Sequence, residues 1–194
     1  MATLSCRFME RKLYPGVDFI KPPSLSIWNH KKIALGKFYL KNIAVSGMNA
    51  SVFRDNLRFG LLDSGFVVSK VKEKEPAGGG VRSDDPPKKK EAEKDIKDRL
   101  EINPLSIAAI CGEYGSDLYI NGYIVETKTG DLLDEKVSVM VNLFVYRSDG
   151  KLAVYMRYIG SESMDSNEMN AEIGLRFAQR LRTLVGQKPA AKKR

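Results

Sequence analysis

Histidine, cysteine and tryptophan are scarce in this chain: 194 residues include one histidine, His30, two cysteines, Cys6 and Cys111, and one tryptophan, Trp28. A Cys/His zinc site therefore lacks ligands within the chain, and neither a metal nor another cofactor is expected. Long apolar runs are also missing. None approaches the roughly 18 consecutive apolar residues that a spanning helix needs, and Met1 to Ser5 is too short for a complete secretory signal. The expectation is a soluble chain. A phosphate loop is absent as well, because the triple glycine at 78–80 is followed by Val81 rather than by the Gly-Lys-Ser/Thr ending.

What is present suits one globular domain with polar appendages: 43% of residues are hydrophobic and 29% charged. The net charge is +8, but its distribution matters more than its size. Residues 1–72 carry 12 basic and 4 acidic groups, 73–101 carry 8 and 9, 102–186 carry 8 and 11, and 187–194 carry 4 and none. The excess sits at the chain ends, while the second half is acidic, so a basic face for nucleic acid is not expected. Lys188, Lys192, Lys193 and Arg194 read as a solvated basic tail.

Along the chain, residues 1–31 are rich in proline and basic residues without a sustained period, and read as an extended leader or tether. Residues 32–186 read as one domain. KKIALGKFYLKNIAV alternates as a strand. NASVFRDNLRFGLLDSG places Val52, Phe53, Leu57, Leu61 and Leu62 at helical spacing, with Asn49 as cap and Gly65 as stop. FVVSKVK is a second strand, and residues 73–98 have the composition of a mobile loop. A second helix starts at Asn103 and Pro104, with Leu105, Ala108, Ala109 and Cys111 or Gly112 as its packing face, and ends near Gly115. Three aromatic and β-branched runs joined by KTGD and SDG read as an antiparallel meander. The last helix sets Met169, Ile173, Phe177, Leu181 and Leu184 on one stripe. The order β-α-β-loop-α-β-β-β-α predicts an α+β fold: a mixed five-stranded sheet with three helices packed on it.

The reactive-looking stretch is ICGEYGSDLYINGYIVE, residues 110–126. A nucleophilic Cys111 would need an orienting base, and the only histidine lies in the leader. Among Ala108, Ala109 and Ile110 the thiol is expected to be buried and inert. The structural reading accounts for more residues. Gly115 supplies a left-handed cap and Asp117 turns the chain, after which Leu118, Ile120, Gly122 and Ile124 share a strand face. No enzyme is expected. Asp131, Asp134 and Glu135 are too few for a calcium loop and read as a hairpin tip.

The run IAAICGEYGSDLYINGYI, the strand pair VNLFVYRSDGKLAVYMRYIG and the closing helix together resemble the periplasmic module shared by the TolB amino-terminal domain, the curli-secretion lipoprotein CsgG and the penicillin-binding-protein activator LpoB. In that resemblance Gly115, Ser116 and Asp117 stand for the first turn, Gly122 for the strand glycine, and Asp149 with Gly150 for the second turn. It covers about residues 32–186 and implies export, often as a lipoprotein. TLSC then resembles a relaxed lipobox with Cys6 as the acylated residue and a membrane contact through that lipid. The leucine sits at −2 rather than −3, and the preceding basic and apolar regions are missing; either the true start lies upstream or Cys6 is an ordinary free thiol.

The function so implied is a non-enzymatic module at the periplasmic face of the outer membrane, binding another envelope protein such as a cell-wall synthase or secretion component. Tyr155, Arg157 and Tyr158 of YMRYIG are the candidate partner-facing residues, because Tyr and Arg are favoured interface anchors. The alternative is a cytosolic nucleic-acid- or ribosome-associated protein that uses its basic ends.

Overall fold

A computed structural model describes residues 17–20, 27–41, 47–72, 103–129, 136–160 and 167–186. Its strands are β1 (Val17–Ile20), β2 (Lys32–Leu40), β3 (Val67–Lys70), β4 (Leu118–Thr129), β5 (Lys136–Arg147) and β6 (Leu152–Gly160). Its helices are α1 (Gly47–Asp63), α2 (Pro104–Tyr114) and α3 (Asn167–Gly186). The strands form one sheet in the order β1-β6-β5-β4-β2-β3. Pairing is parallel where β2 meets β3 and β4, and antiparallel elsewhere. The expected α+β fold is present, with all five predicted strands and three helices.

The stretch expected to be a free leader adds a sixth strand. β1 pairs antiparallel with β6, Val17 opposite Tyr158 and Ile20 opposite Tyr155. Four residues between Pro15-Gly16 and Lys21-Pro22 are too few to display a period, so this strand is invisible to pattern reading. Just before β2, Ile27 is buried in the core, and the Asn29 backbone N–H donates to Val185 O at 3.1 Å. Asn29 holds φ 64°, a left-handed conformation that asparagine tolerates. The domain therefore starts before residue 32. Cys6, the loop 73–98, the KTGD turn with Asp131, Asp134 and Glu135, and the tail 187–194 fall wholly or partly outside the described residues.

One face of the sheet meets α1 and α3. Leu118, Ile120 and Ile124 of β4 and Val141, Leu143 and Val145 of β5 point there, as period two requires. A chain of edge-to-face rings ties the layers together: Phe38 of β2 lies 5.0 Å from Phe53 of α1, which lies 6.3 Å from Phe177 of α3. The predicted stripe of α3 is buried, with Met169 packed partly against it. In α1 the buried stripe is Phe53, Leu57 and Leu61, while Leu62 is exposed. Helix α1 begins at Gly47, which puts Asn49 inside its first turn rather than at the cap. Gly65, at φ 86°, ends it as expected, with the Phe66 N–H donating to Leu61 O at 3.0 Å.

Helix α2 lies on the opposite face. Asn103 caps it, its Oδ1 accepting from the Leu105 N–H at 3.0 Å, and Pro104 takes the first helical position. The predicted packing face is right only in part: Cys111 is buried and Ala108 half-buried, but Ile107 is the other buried residue, whereas Leu105 is 77% exposed and Ala109 and Gly112 face solvent. PLSIAAICGEY is apolar almost all round, so it carries too little contrast between its faces to reveal its rotational phase.

Candidate interaction face

Among the described residues, the sheet face opposite α1 and α3 is covered at one end only. There Ile107 and Cys111 pack with Ala34 and Tyr119, and Ile110, Tyr114 and Tyr146 close the edges. Three turns hold α2 on this footprint. Gly115 adopts φ 57°, and the Ser116 N–H donates to Cys111 O at 2.9 Å, which closes the helix. Asp117 Oδ2 accepts from the backbone N–H groups of Lys31 at 3.2 Å and Lys32 at 3.1 Å. The Asp117 carbonyl accepts from the Ser148 N–H at 3.0 Å. Gly150, at φ 79°, lets the β5–β6 turn lie directly on the start of α2, since a Cβ there would fall 2.4 Å from Pro104 O. Asp149 Oδ1 accepts from the Lys151 N–H at 3.2 Å within the same turn. The residues that looked reactive around position 115 are thus joints. Cys111 is buried, as its neighbours imply, and burial first and the Asp117 charge second push its thiol above the ordinary value, away from the thiolate a nucleophile needs.

Beyond α2 the face is lined with rings. Tyr119, Tyr146, Phe144 and Tyr155 follow one another at centroid distances of 6.3, 6.4 and 5.2 Å, and Tyr123 lies 6.0 Å from Phe144. The register explains the arrangement. Asn121, Phe144 and Tyr155 form one cross-strand row, and Tyr123, Asn142 and Arg157 form the next. Tyr123, Phe144, Tyr146 and Tyr155 are half-buried and Arg157 is exposed. A third row, Val125, Met140 and Ile159, extends the face with aliphatic side chains, and Ile159 is exposed.

Polar groups sit beneath and beside these rings. Asn142 is fully buried, and its Oδ1 accepts from the Tyr155 hydroxyl and, at 3.4 Å, from Arg157 Nε. Arg157 Nε also donates to the Tyr155 hydroxyl oxygen at 2.7 Å, while the guanidinium lies 5.3 Å from the Tyr155 ring centre. Lys41 Nζ stands 5.4 Å from the Tyr123 ring centre. Asn121 Oδ1 and Nδ2 and Asn142 Nδ2 are buried without a hydrogen-bond partner, each a cost of about 1–3 kcal/mol. Burial raises the Tyr123 and Tyr146 phenols; at Tyr123 the neighbouring Tyr155 adds to the rise and Arg157 opposes it.

Of the three residues singled out in YMRYIG, the structure brings Tyr155 and Arg157 together and separates Tyr158. Tyr158 is only 4% exposed, in the core on the other face, with its hydroxyl 3.8 Å from Met169 Sδ. Strand alternation is the reason: 155 and 157 share one face, and 158 joins 154 and 156 on the other. Sequence reasoning missed Tyr123, Phe144 and Asn142. The signal was available, because in β4 and β5 Tyr119, Asn121, Tyr123, Phe144 and Tyr146 alternate with aliphatic residues and so form a second, aromatic face. Among the described residues no group of three or more His, Cys, Asp or Glu could hold a metal ion. No helix among them is long and apolar enough to cross a membrane.

No protein-family model matches the chain, and no curated protein does. Among solved structures the chain is similar to the PelC dodecamer from Paraburkholderia phytofirmans, with a TM-score of 0.53 and 11% identity, covering 90% of this chain and 100% of that one. A single-substitution variant of the same PelC dodecamer matches with a TM-score of 0.52 at the same identity and coverage. A lipoprotein, GNA1162 from Neisseria meningitidis, matches with a TM-score of 0.40 and 13% identity over 79% of this chain and 99% of that one. At 11% identity the likeness to PelC is one of fold. The TolB, CsgG and LpoB families read from the turn motifs are not confirmed by these matches.

Proposed function

We propose that the chain is a non-enzymatic interaction module of the cell envelope, offering the open part of its sheet to a larger protein such as a cell-wall synthase or a secretion component. The observation that carries this reading is the continuous patch of half-buried rings formed by Tyr123, Phe144 and Tyr155, which no other described element covers, flanked by Arg157 and Ile159. Large half-buried aromatics with an adjacent arginine and aliphatic neighbours have the composition of a protein-binding hot spot. The turns that hold α2 set that helix over the other end of the face, so among the described residues it does not cover these rings. The sequence resemblance to exported modules and Cys6 in TLSC support the envelope and a lipid anchor as the setting, and the shared fold with PelC is compatible with it.

The test is site-specific photo-crosslinking in cells that make the protein. A photoreactive residue at Ile159 or Tyr155 should yield an adduct identified by mass spectrometry as an envelope protein, and one at exposed Leu175 on α3 should not. Adducts of equal yield at 159 and 175, or adducts dominated by ribosomal proteins or RNA, would overturn the reading. Radiolabelled palmitate incorporation that disappears in Cys6→Ala tests the anchor independently.

A further inference from the structure

We infer that the partner presents a carboxylate to Arg157, so that the occupant of the open face is an acidic protein segment with apolar side chains; this rests on the interaction reading above. The geometry of Arg157 is the reason. Its Nε is held by the Tyr155 hydroxyl at 2.7 Å and lies 3.4 Å from Asn142 Oδ1, and its guanidinium is laid along the Tyr155 ring. Asn142 and Tyr155 thus fix the inner edge of the fork. The two terminal nitrogens remain as donors, at an exposed position, in the planar spacing that fits a carboxylate. Holding the side chain in advance removes much of the rotamer entropy that makes an ordinary surface ion pair weak.

The charge on the face points the same way. Lys41 and Arg157 are cations of this face, each set over a tyrosine ring. Within β4, β5 and β6 no side chain of the Tyr123, Asn142, Arg157 row or of the rows beside it is acidic. The β1–β6 register sets Asp18 across from Arg157, so a carboxylate of the chain itself is the competitor that the test must separate from a partner's. A second copy docking through the same face about a twofold axis would bring like charges together, which disfavours self-pairing. The aliphatic row Val125, Met140 and Ile159 favours a protein segment over a glycan, whose hydroxyls would lie against hydrocarbon there.

The probe is a pair of synthetic 12-residue peptides, one alternating leucine with glutamate and its counterpart alternating leucine with glutamine, titrated into the full chain and followed by amide chemical shifts. The glutamate peptide should bind more tightly, by about threefold to tenfold, with shifts centred on Tyr123, Phe144 and Arg157. Arg157→Gln should erase that preference while the melting temperature stays unchanged, and raised salt should do the same. Asp18→Asn should leave the preference intact or enlarge it; a loss matching that of Arg157→Gln would mean that Arg157 serves an internal pair, and would overturn the inference. Equal affinity of the two peptides would also overturn it. If the glutamate peptide shows no preference yet the crosslinks at 155 and 159 still capture an envelope protein, the carboxylate is wrong and the interaction face stands. Competition at the same amides by alginate, with no response to either peptide, would replace the protein segment with an anionic glycan.

Discussion

Replacing Gly122 with alanine tests the packing that builds the domain. Gly122 sits in the middle of β4, opposite Leu143, on the face that meets α1 and α3. A Cβ placed there would lie 2.1 Å from the Asn142 carbonyl oxygen and 2.6 Å from Phe38 Cε1. Since real Cβ atoms essentially never approach closer than 3.0 Å, the β4–β5 backbone must yield by 0.9 Å, the difference between 3.0 and 2.1 Å. Such a displacement stretches the adjacent ladder hydrogen bonds, each worth about 1 kcal/mol. It also pushes Phe38 off its contact with Phe53, an overpacking cost of about 1–3 kcal/mol. The two together predict a loss of about 2–5 kcal/mol. Urea denaturation followed by far-UV circular dichroism measures it. Gly112→Ala is the control: that glycine is in α2, and a Cβ added to it would meet nothing within 4 Å beyond its chain neighbours and the helix's own backbone, so alanine should be neutral or stabilise by up to about 1 kcal/mol. Adding Phe38→Leu to Gly122→Ala should recover the part due to the ring and leave the part due to the carbonyl. A Gly122→Ala protein within about 0.5 kcal/mol of the parent, or one fully restored by Phe38→Leu, would refute the reasoning.

Three further outcomes follow from the same contacts. Tyr158→Ala should cost about 3–5 kcal/mol because it empties a core position, whereas Tyr158→Phe keeps the ring and should cost less than about 1.5 kcal/mol in the same urea titration. Gly150→Ala combines a positive φ with a clash against Pro104, so it should lower the melting temperature and increase amide exchange in α2, the helix that turn supports. Stability should fall in alkali. Burial, above all, raises the Tyr119 phenol above its ordinary 10.0 and the Cys111 thiol above its ordinary 9.0. The folded state therefore keeps protons that the unfolded chain releases, and the stabilisation present below about pH 9 is lost as pH rises through 9 to 10 and beyond, by up to about 1.4 kcal/mol per pH unit for each such group. Denaturation midpoints at pH 8 and pH 10.5 check this, and Tyr119→Phe should flatten the decline.

Much of this architecture was legible because its segments have strong periods. β4, β5 and β6 alternate, α3 carries a clear stripe, and Asn103, Pro104, Gly115 and Gly150 are residue types with few alternative uses at helix ends and turns. The role of ICGEYGSD was readable from its residues alone, since a helix stop followed by a strand start needs only local chemistry. Tyr155 and Arg157 do share one face of the sheet, but Tyr158 was grouped with them on residue type, although an odd spacing in a strand sends it to the other side. The phase of α2 and the existence of β1 were not readable: the first is apolar around its whole circumference and the second is four residues long.

The sequence by itself determined which segments other than β1 are strands and helices and where most of them turn, because those choices depend on hydrogen bonding and side-chain volume within a few residues. Only the tertiary structure decided that α2 shields one end of the second sheet face and, among the described residues, leaves Tyr123, Phe144, Tyr155 and Arg157 beyond its cover, and that a short N-terminal strand pairs with β6. Those are matters of register and coverage between segments as far apart as Pro104 and Gly150, or Val17 and Tyr158. A contact between distant segments leaves no period in either one, so it exists as information only once the chain has folded.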